Sequence, residues 1–153
     1  MKLKKIISKL SLEEKVSLLS GFDNWHTPDI KKYGIPKIKM SDGPNGVRGD
    51  SSTPQTSACF PSPILLGATW NEKLIKKIGS ATGEEALYKD VDVLLAPTIN
   101  LHRHPLGGRH FECYSEDPVL TSKIACSYVS GVQSEGVAAC LLYTSDAADD
   151  TSG

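Results

Sequence analysis

Two short stretches hold most of the groups able to do chemistry. SDGPNGVRG, residues 41–49, sets Asp42 and Arg48 among three glycines and Pro44. PLGGRHFECYSEDP, residues 105–118, crowds Arg109, His110, Glu112, Glu116 and Asp117 around two aromatic rings, behind the adjacent Gly107 and Gly108. A guanidinium offers a planar fork of donors, and a carboxylate accepts from two neighbouring hydroxyls. A carboxylate and an arginine facing one pocket therefore suit a polyhydroxylated ligand, which makes Arg109 and Glu112 candidates for holding a sugar. The same two side chains would also form an internal ion pair that shapes the loop, and both readings stay open.

The other polar groups have plainer readings beside the sharper ones. The Gly-rich 41–49 stretch could cradle a phosphate, but it has no Gly-Lys-Ser/Thr and no helix opens directly after it. Pro44 and the glycines instead suit a loop of defined backbone angles. Arg48-Gly49-Asp50 spells an adhesion tripeptide by chance. His102 and His104 would share a face if they stood on a strand and could then hold a metal. Pro105 ends such a strand at once, which favours histidines that hydrogen-bond in a polar loop. A metal-dependent hydrolase built on His102 and His104 is one alternative function; a non-catalytic carbohydrate-binding module is another. Neither a metal nor a cofactor is expected.

Regular elements must position these loops. SLEEKVSLLSG predicts a helix with Ser11 as N-cap, Glu14 completing a capping box, a Leu12–Val16–Leu19 stripe and Gly21 as the stop. IPKIKM, residues 35–40, reads as a strand ending at Ser41-Asp42-Gly43. Residues 43–62 show almost no periodicity, and a loop of that length in a compact domain is functional or disordered. NEKLIKKIGSATGEEALYKD carries Leu74, Ile75, Ile78 and Ala86 at helical spacing, with Gly79 and Gly83 placed for close approach to a neighbour. VDVLLA, residues 91–96, is a continuous apolar run of the kind covered on both faces in parallel sheets. A second long helix follows, with Asp117 as N-cap, Pro118 at its first position and Gly136 as its stop, and a strand opens at Val137. Glu116 stands just ahead of that helix, where the dipole favours negative charge. Strand, helix, strand, helix, strand is the grammar of an α/β fold, whose strand ends form the ligand face.

Composition narrows the partners. The chain has 153 residues, 39% apolar and 23% charged, with a net charge of −1. That suits one globular domain and not a nucleic-acid surface, which needs clustered Lys and Arg. MKLKKIISKL reads as a solvated helix face and not as a membrane anchor or a secretory leader, so a cytoplasmic location is expected. Cys59, Cys113, Cys126 and Cys140 show no CxxC pairing and are expected as free thiols, with Cys126 in a helix core.

LSLEEKVSLLSGFDNWHT, GIPKIKMSDGPNGVRG, LGATWNEKLIKKIG and VDVLLAPTINLHRHPLGGRHFECYSEDP follow one another in unbroken order. Over residues 10 to about 138 the sequence resembles glycoside hydrolase family 3, the β-glucosidase family. DGPNGVRG and GGRxFExYSEDP carry the resemblance most specifically. It implies the first part of a (β/α)8 TIM-barrel-like domain over residues 1–139, retaining chemistry, and a β-glucoside or oligosaccharide substrate with a terminal β-linked glucose. Carried over by position, it implies that Asp42 grips sugar hydroxyls in the −1 subsite, with Arg109 on the same ring. It further implies that Arg48 assists and Glu112 supports that shell. Trp25 could offer a ring face to the substrate or belong to a core.

Retaining hydrolysis needs two carboxylates about 5 Å apart. In this family the nucleophile aspartate lies well downstream of the matched region and the acid/base later still. The 153 residues are therefore expected to be an inactive N-terminal fragment that does not fold stably alone, since a barrel needs roughly 200 residues or more. After GVQSEGVAA the family continues along a strand to a Lys-His pair. Here the text becomes CLLYTSDAADDTSG, so residues 140–153 read as a foreign tail, in the manner of translated adapter sequence.

Overall fold

The computed structural model describes residues 2–48 and 55–142. It divides into two compact units, Met1–Met40 and Ser41–Gly153. In the first unit, helices α1 (Lys2–Ile7) and α2 (Leu12–Ser17) are followed by a 3-10 turn at Lys31–Tyr33. The expected capping box is present: Glu14 donates its N–H to Ser11 Oγ at 3.2 Å, and Ser11 returns its own N–H to Glu14 Oε2 at 2.9 Å. The Leu12–Val16–Leu19 stripe is a correction. α2 ends at Ser17, with Leu18 and not Gly21 closing it, which removes Leu19 from the helix, and all three side chains are exposed.

Polar bonds tie this unit together instead. Lys32 Nζ meets Glu14 Oε1 at 2.6 Å, and Tyr33 donates its hydroxyl to Lys9 O at 2.8 Å. The strand expected over 35–40 is mostly absent too. Single bridges join Ile30 to Ile35 and His26 to Lys39, and strand β1 spans only Met40–Asp42. Pro36 has no N–H to give to a ladder, and Ile38 gives its N–H to Thr27 Oγ1.

The second unit is an α/β arrangement around a small sheet. After β1 come α3 (Pro63–Gly67), α4 (Glu72–Tyr88), β2 (Val93–Leu95), α5 (Pro118–Ser134) and β3 (Ala138–Ala139). The sheet order is β1-β2-β3, and β2 runs parallel to β3. Pairing continues past β3: Cys140 donates to Leu94 O, Leu142 donates to Pro97 O, and Ile99 donates to Leu142 O. Of the expected foreign tail, residues 140–142 thus extend the parallel run, and 143–153 lie outside the described residues.

α4 and α5 behave as their caps predict. Asn71 Oδ1 accepts from Leu74 N–H at 3.1 Å, and Asp117 Oδ1 accepts from Val119 N–H at 2.7 Å with Pro118 opening the helix. Gly136, at φ +86°, follows the end of α5. The two helices pack through glycines, as expected. A Cβ on Gly79 would stand 2.3 Å from Tyr128 O, and one on Gly131 would stand 2.2 Å from Lys76 O. Ile75, Ala86, Val91, Leu94, Ile124, Tyr128, Val132 and Val137 form the core between helices and sheet.

Further expectations need correction. Leu94 is fully buried, but Val93 and Leu95 on the opposite face of β2 are half-buried, so the apolar run is fully covered on one face only. Leu74 is exposed on α4. Cys126 is exposed because α5 turns Ile124, Ala125 and Tyr128 inward, and Cys113 is the buried thiol. All four cysteines are free. Among the described residues no helix is long and apolar enough to cross a membrane.

Candidate functional site

Asp42 closes β1, and the chain turns immediately at Gly43. A Cβ there would meet Leu94 Cδ1 of β2 at 2.3 Å, so a side chain at this turn would have to displace the buried Leu94 side chain. Arg48 returns to the strand end: its N–H donates to Asp42 O at 2.9 Å, and its Nη1 stands 3.5 Å from Asp42 Oδ2. Both side chains reach solvent. They line a cavity of about 340 Å³ together with Pro44, Asn45, Ser57 and Cys59, which is at the small end for a ligand pocket. Gly49 and Asp50 of the adhesion-like tripeptide lie outside the described residues.

The described parts of the 43–62 loop contain no helix or strand, so their backbone groups find other partners. Phe60 donates its N–H to Asn45 O at 2.7 Å. Gly46, at φ +132°, brings the chain so near Ala58 that a Cβ would lie 2.1 Å from its carbonyl oxygen. Ser57 Oγ donates to Val47 O at 2.7 Å, and Glu85 and Lys89 of the α4 region supply further partners. Glu85 accepts the N–H groups of Val47 (3.3 Å) and Ala58 (2.9 Å), and Lys89 Nζ donates to Val47 O and Ser57 Oγ, both at 2.6 Å. Sequence reasoning missed this pair. Its signal was an acid and a base four residues apart beside the buried Thr82 and Ala86.

Arg109 and Glu112 stand on the loop after β2. A 3-10 turn at His110–Glu112 folds them together, and Arg109 Nε donates to Glu112 Oε1. Thr98 Oγ1 donates to the other oxygen, Oε2, at 3.1 Å. Glu112 is only 7% exposed, whereas the Arg109 side chain is 47% exposed. The internal ion pair weighed from sequence is therefore real, and it leaves the guanidinium at the surface. Gly107 makes room for the His110 ring, which a Cβ would meet at 2.1 Å.

The remaining candidates disperse. His102 Nε2 lies 3.1 Å from Cys113 O and its ring stacks on His110 at 4.9 Å, while His104 Nδ1 accepts from Leu106 N–H. Neither stands on a strand, and among the described residues no group of three His, Cys, Asp or Glu is placed to hold a metal. Trp25 belongs to the first unit, where its N–H donates to Asp23 Oδ1 and its carbonyl accepts from Met40 N–H. Among the described residues, Arg109 and Glu112 do not line the cavity beside Asp42. The structure thus joins Asp42 to Arg48, and Arg109 to Glu112, as two arginine–carboxylate pairs following two neighbouring strands.

Comparison with known proteins places these pairs in context. The Glycosyl hydrolase family 3 N terminal domain matches residues 5–142. A β-glucosidase of Rhizobium radiobacter is 57% identical over 136 residues, covering 88% of this chain and 17% of that protein. β-Glucosidase B of Emericella nidulans is 53% identical over 135 residues, covering 88% of this chain and 16% of the relative. The chain therefore spans less than a fifth of the length of these two relatives. Among solved structures, β-glucosidase 3B from Thermotoga neapolitana in complex with glucose superposes with a TM-score of 0.82 at 42% identity, covering 94% of this chain and 23% of that one.

Proposed function

The chain belongs to glycosyl hydrolase family 3, and from that premise we propose that Asp42, Arg48 and Arg109 hold the terminal glucose of a β-glucoside in the −1 subsite. The observation that carries this reading is the pairing of two exposed guanidinium groups with two carboxylates on loops after adjacent strands. Asp42 is solvent-accessible and lines a cavity, so its oxygens can accept sugar hydroxyls. Glu112 has one oxygen on Arg109 and the other on Thr98, so its role is to hold the guanidinium and not to react.

In this reading residues 1–139 are the opening strands and helices of a (β/α)8 barrel. The parallel β2–β3 pair and the intervening α5 support that assignment. The parent enzyme cleaves through a covalent glycosyl-enzyme between two carboxylates, and by the resemblance neither is among the residues matched here. The 153-residue chain alone is accordingly expected to release no nitrophenol from an aryl β-glucoside. Turnover abolished by Asp42→Ala would overturn this.

Segment exchange tests the positive claim. The matched region of the Rhizobium radiobacter β-glucosidase is replaced by this chain's 136 residues. The hybrid is expected to hydrolyse aryl β-glucosides and to lose that activity on Asp42→Ala. A folded hybrid indifferent to Asp42 would contradict the sugar assignment.

A further inference from the structure

We propose that Glu85 and Lys89, one turn apart at the end of α4, are positioning residues that hold the Asp42–Arg48 loop in its sugar-accepting shape; this rests on the sugar reading of that loop. Lys89 is 2% exposed. A buried ammonium is costly unless its donors are matched, and among the described residues three acceptors stand within hydrogen-bonding distance of it. Val47 O and Ser57 Oγ lie at 2.6 Å and Glu85 Oε1 at 2.9 Å. Glu85 in turn accepts from the backbone of Val47 and of Ala58. A single ion pair on a rigid helix therefore grips both limbs of the loop, 46–48 on one side and 57–58 on the other.

The grip is transmitted to the sugar groups through the backbone. Val47 is fully buried, and the next residue is Arg48, whose N–H donates to Asp42 O. On the other limb, Ser57 and Ala58 line the cavity directly. Among the described residues neither Glu85 nor Lys89 lines that cavity, so both act through the loop and not on the ligand. An apolar pair of similar size would fill the same space, yet it would leave the Val47 and Ala58 amides without the carboxylate that accepts from both. The ion pair thus specifies the path of a segment that has no ladder or helix of its own.

The test combines site-resolved amide hydrogen exchange with calorimetric titration of D-glucose, on the segment-exchange enzyme and its Lys89→Met and Glu85→Gln variants. Both variants are expected to speed exchange at Val47 and Ala58 at least tenfold. They should weaken glucose affinity by about tenfold and leave the α5 amides Ile124–Val132 unchanged. Loss of α5 protection in Lys89→Met marks that variant as unfolded, and the isosteric Glu85→Gln then decides. Unchanged glucose affinity in a folded variant, with or without faster exchange at Val47, overturns the positioning role. A segment-exchange enzyme that keeps α5 protection and Glu85 and Lys89 yet binds no glucose instead overturns the sugar reading, and the Val47 and Ala58 amides then decide the clamp alone.

Discussion

The two arginine–carboxylate pairs are built in opposite senses. At Asp42–Arg48 the two side chains meet loosely, at 3.5 Å, and both reach solvent beside a cavity. At Arg109–Glu112 the carboxylate is buried with both oxygens occupied, and only the arginine faces outward. Surface ion pairs contribute little to stability, so the first pair is free to exchange its partner for a ligand at small cost. The second pair exists to fix one guanidinium. The chain accordingly leaves one carboxylate and two arginine side chains reaching solvent, and holds its second carboxylate between Arg109 and Thr98.

That contrast can be broken by substitution. Asp42→Ala in the segment-exchange enzyme is expected to lower kcat/KM by about 100-fold or more, from the loss of charge-assisted bonds to sugar hydroxyls. The same change should move the stability of that enzyme by less than about 0.5 kcal/mol. Glu112→Ala should reverse the ranking for stability, costing about 1–3 kcal/mol in urea unfolding because Thr98 and Arg109 lose a buried partner. Equal stability losses at the two carboxylates would erase the distinction.

A pH titration probes the core beneath both pairs. Burial pushes the Tyr128 hydroxyl up to about 12 from an ordinary value near 10. The unfolded chain therefore gives up this proton first as pH rises, so folding stability is fully present below about pH 10. It falls between about pH 10 and 12, by an amount on the order of 2 kcal/mol. Tyr128→Phe should reduce that alkaline loss without altering glucose affinity at pH 7, leaving the share that the likewise buried and raised Tyr114 hydroxyl contributes; an undiminished loss would place its origin elsewhere. The smallest effect concerns thiols. Burial likewise raises the Cys113 thiol, so at pH 8 a thiol reagent should modify the exposed Cys59 and Cys126 well before Cys113.

What sequence could show was set by how locally each feature is decided. The capping box at Ser11 and Glu14 and the Asp117–Pro118 start of α5 depend on residues three positions apart or fewer, and both were legible. The glycines at 79 and 83 announced a close helix neighbour without saying which helix it was. Cys126 was misplaced because the inward face of α5 is set by tertiary packing and not by its own pattern. The Glu85–Lys89 clamp was missed for the same reason: its partners at Val47 and Ala58 lie 27 to 42 positions away. The sugar-holding candidates were readable as residue types on strand-end loops. The resemblance already implied different roles for Asp42 and Glu112; their physical difference, one carboxylate reaching solvent and the other buried between Arg109 and Thr98, needed coordinates.

The central claim is that Asp42 and Arg109 serve one sugar ring. A crystal structure of the segment-exchange enzyme soaked with glucose tests it most directly. The account predicts hydroxyls of a single pyranose within hydrogen-bonding distance of both the Asp42 carboxylate and the Arg109 guanidinium. Glucose held beside one of them, with the other turned toward a separate surface, would contradict it.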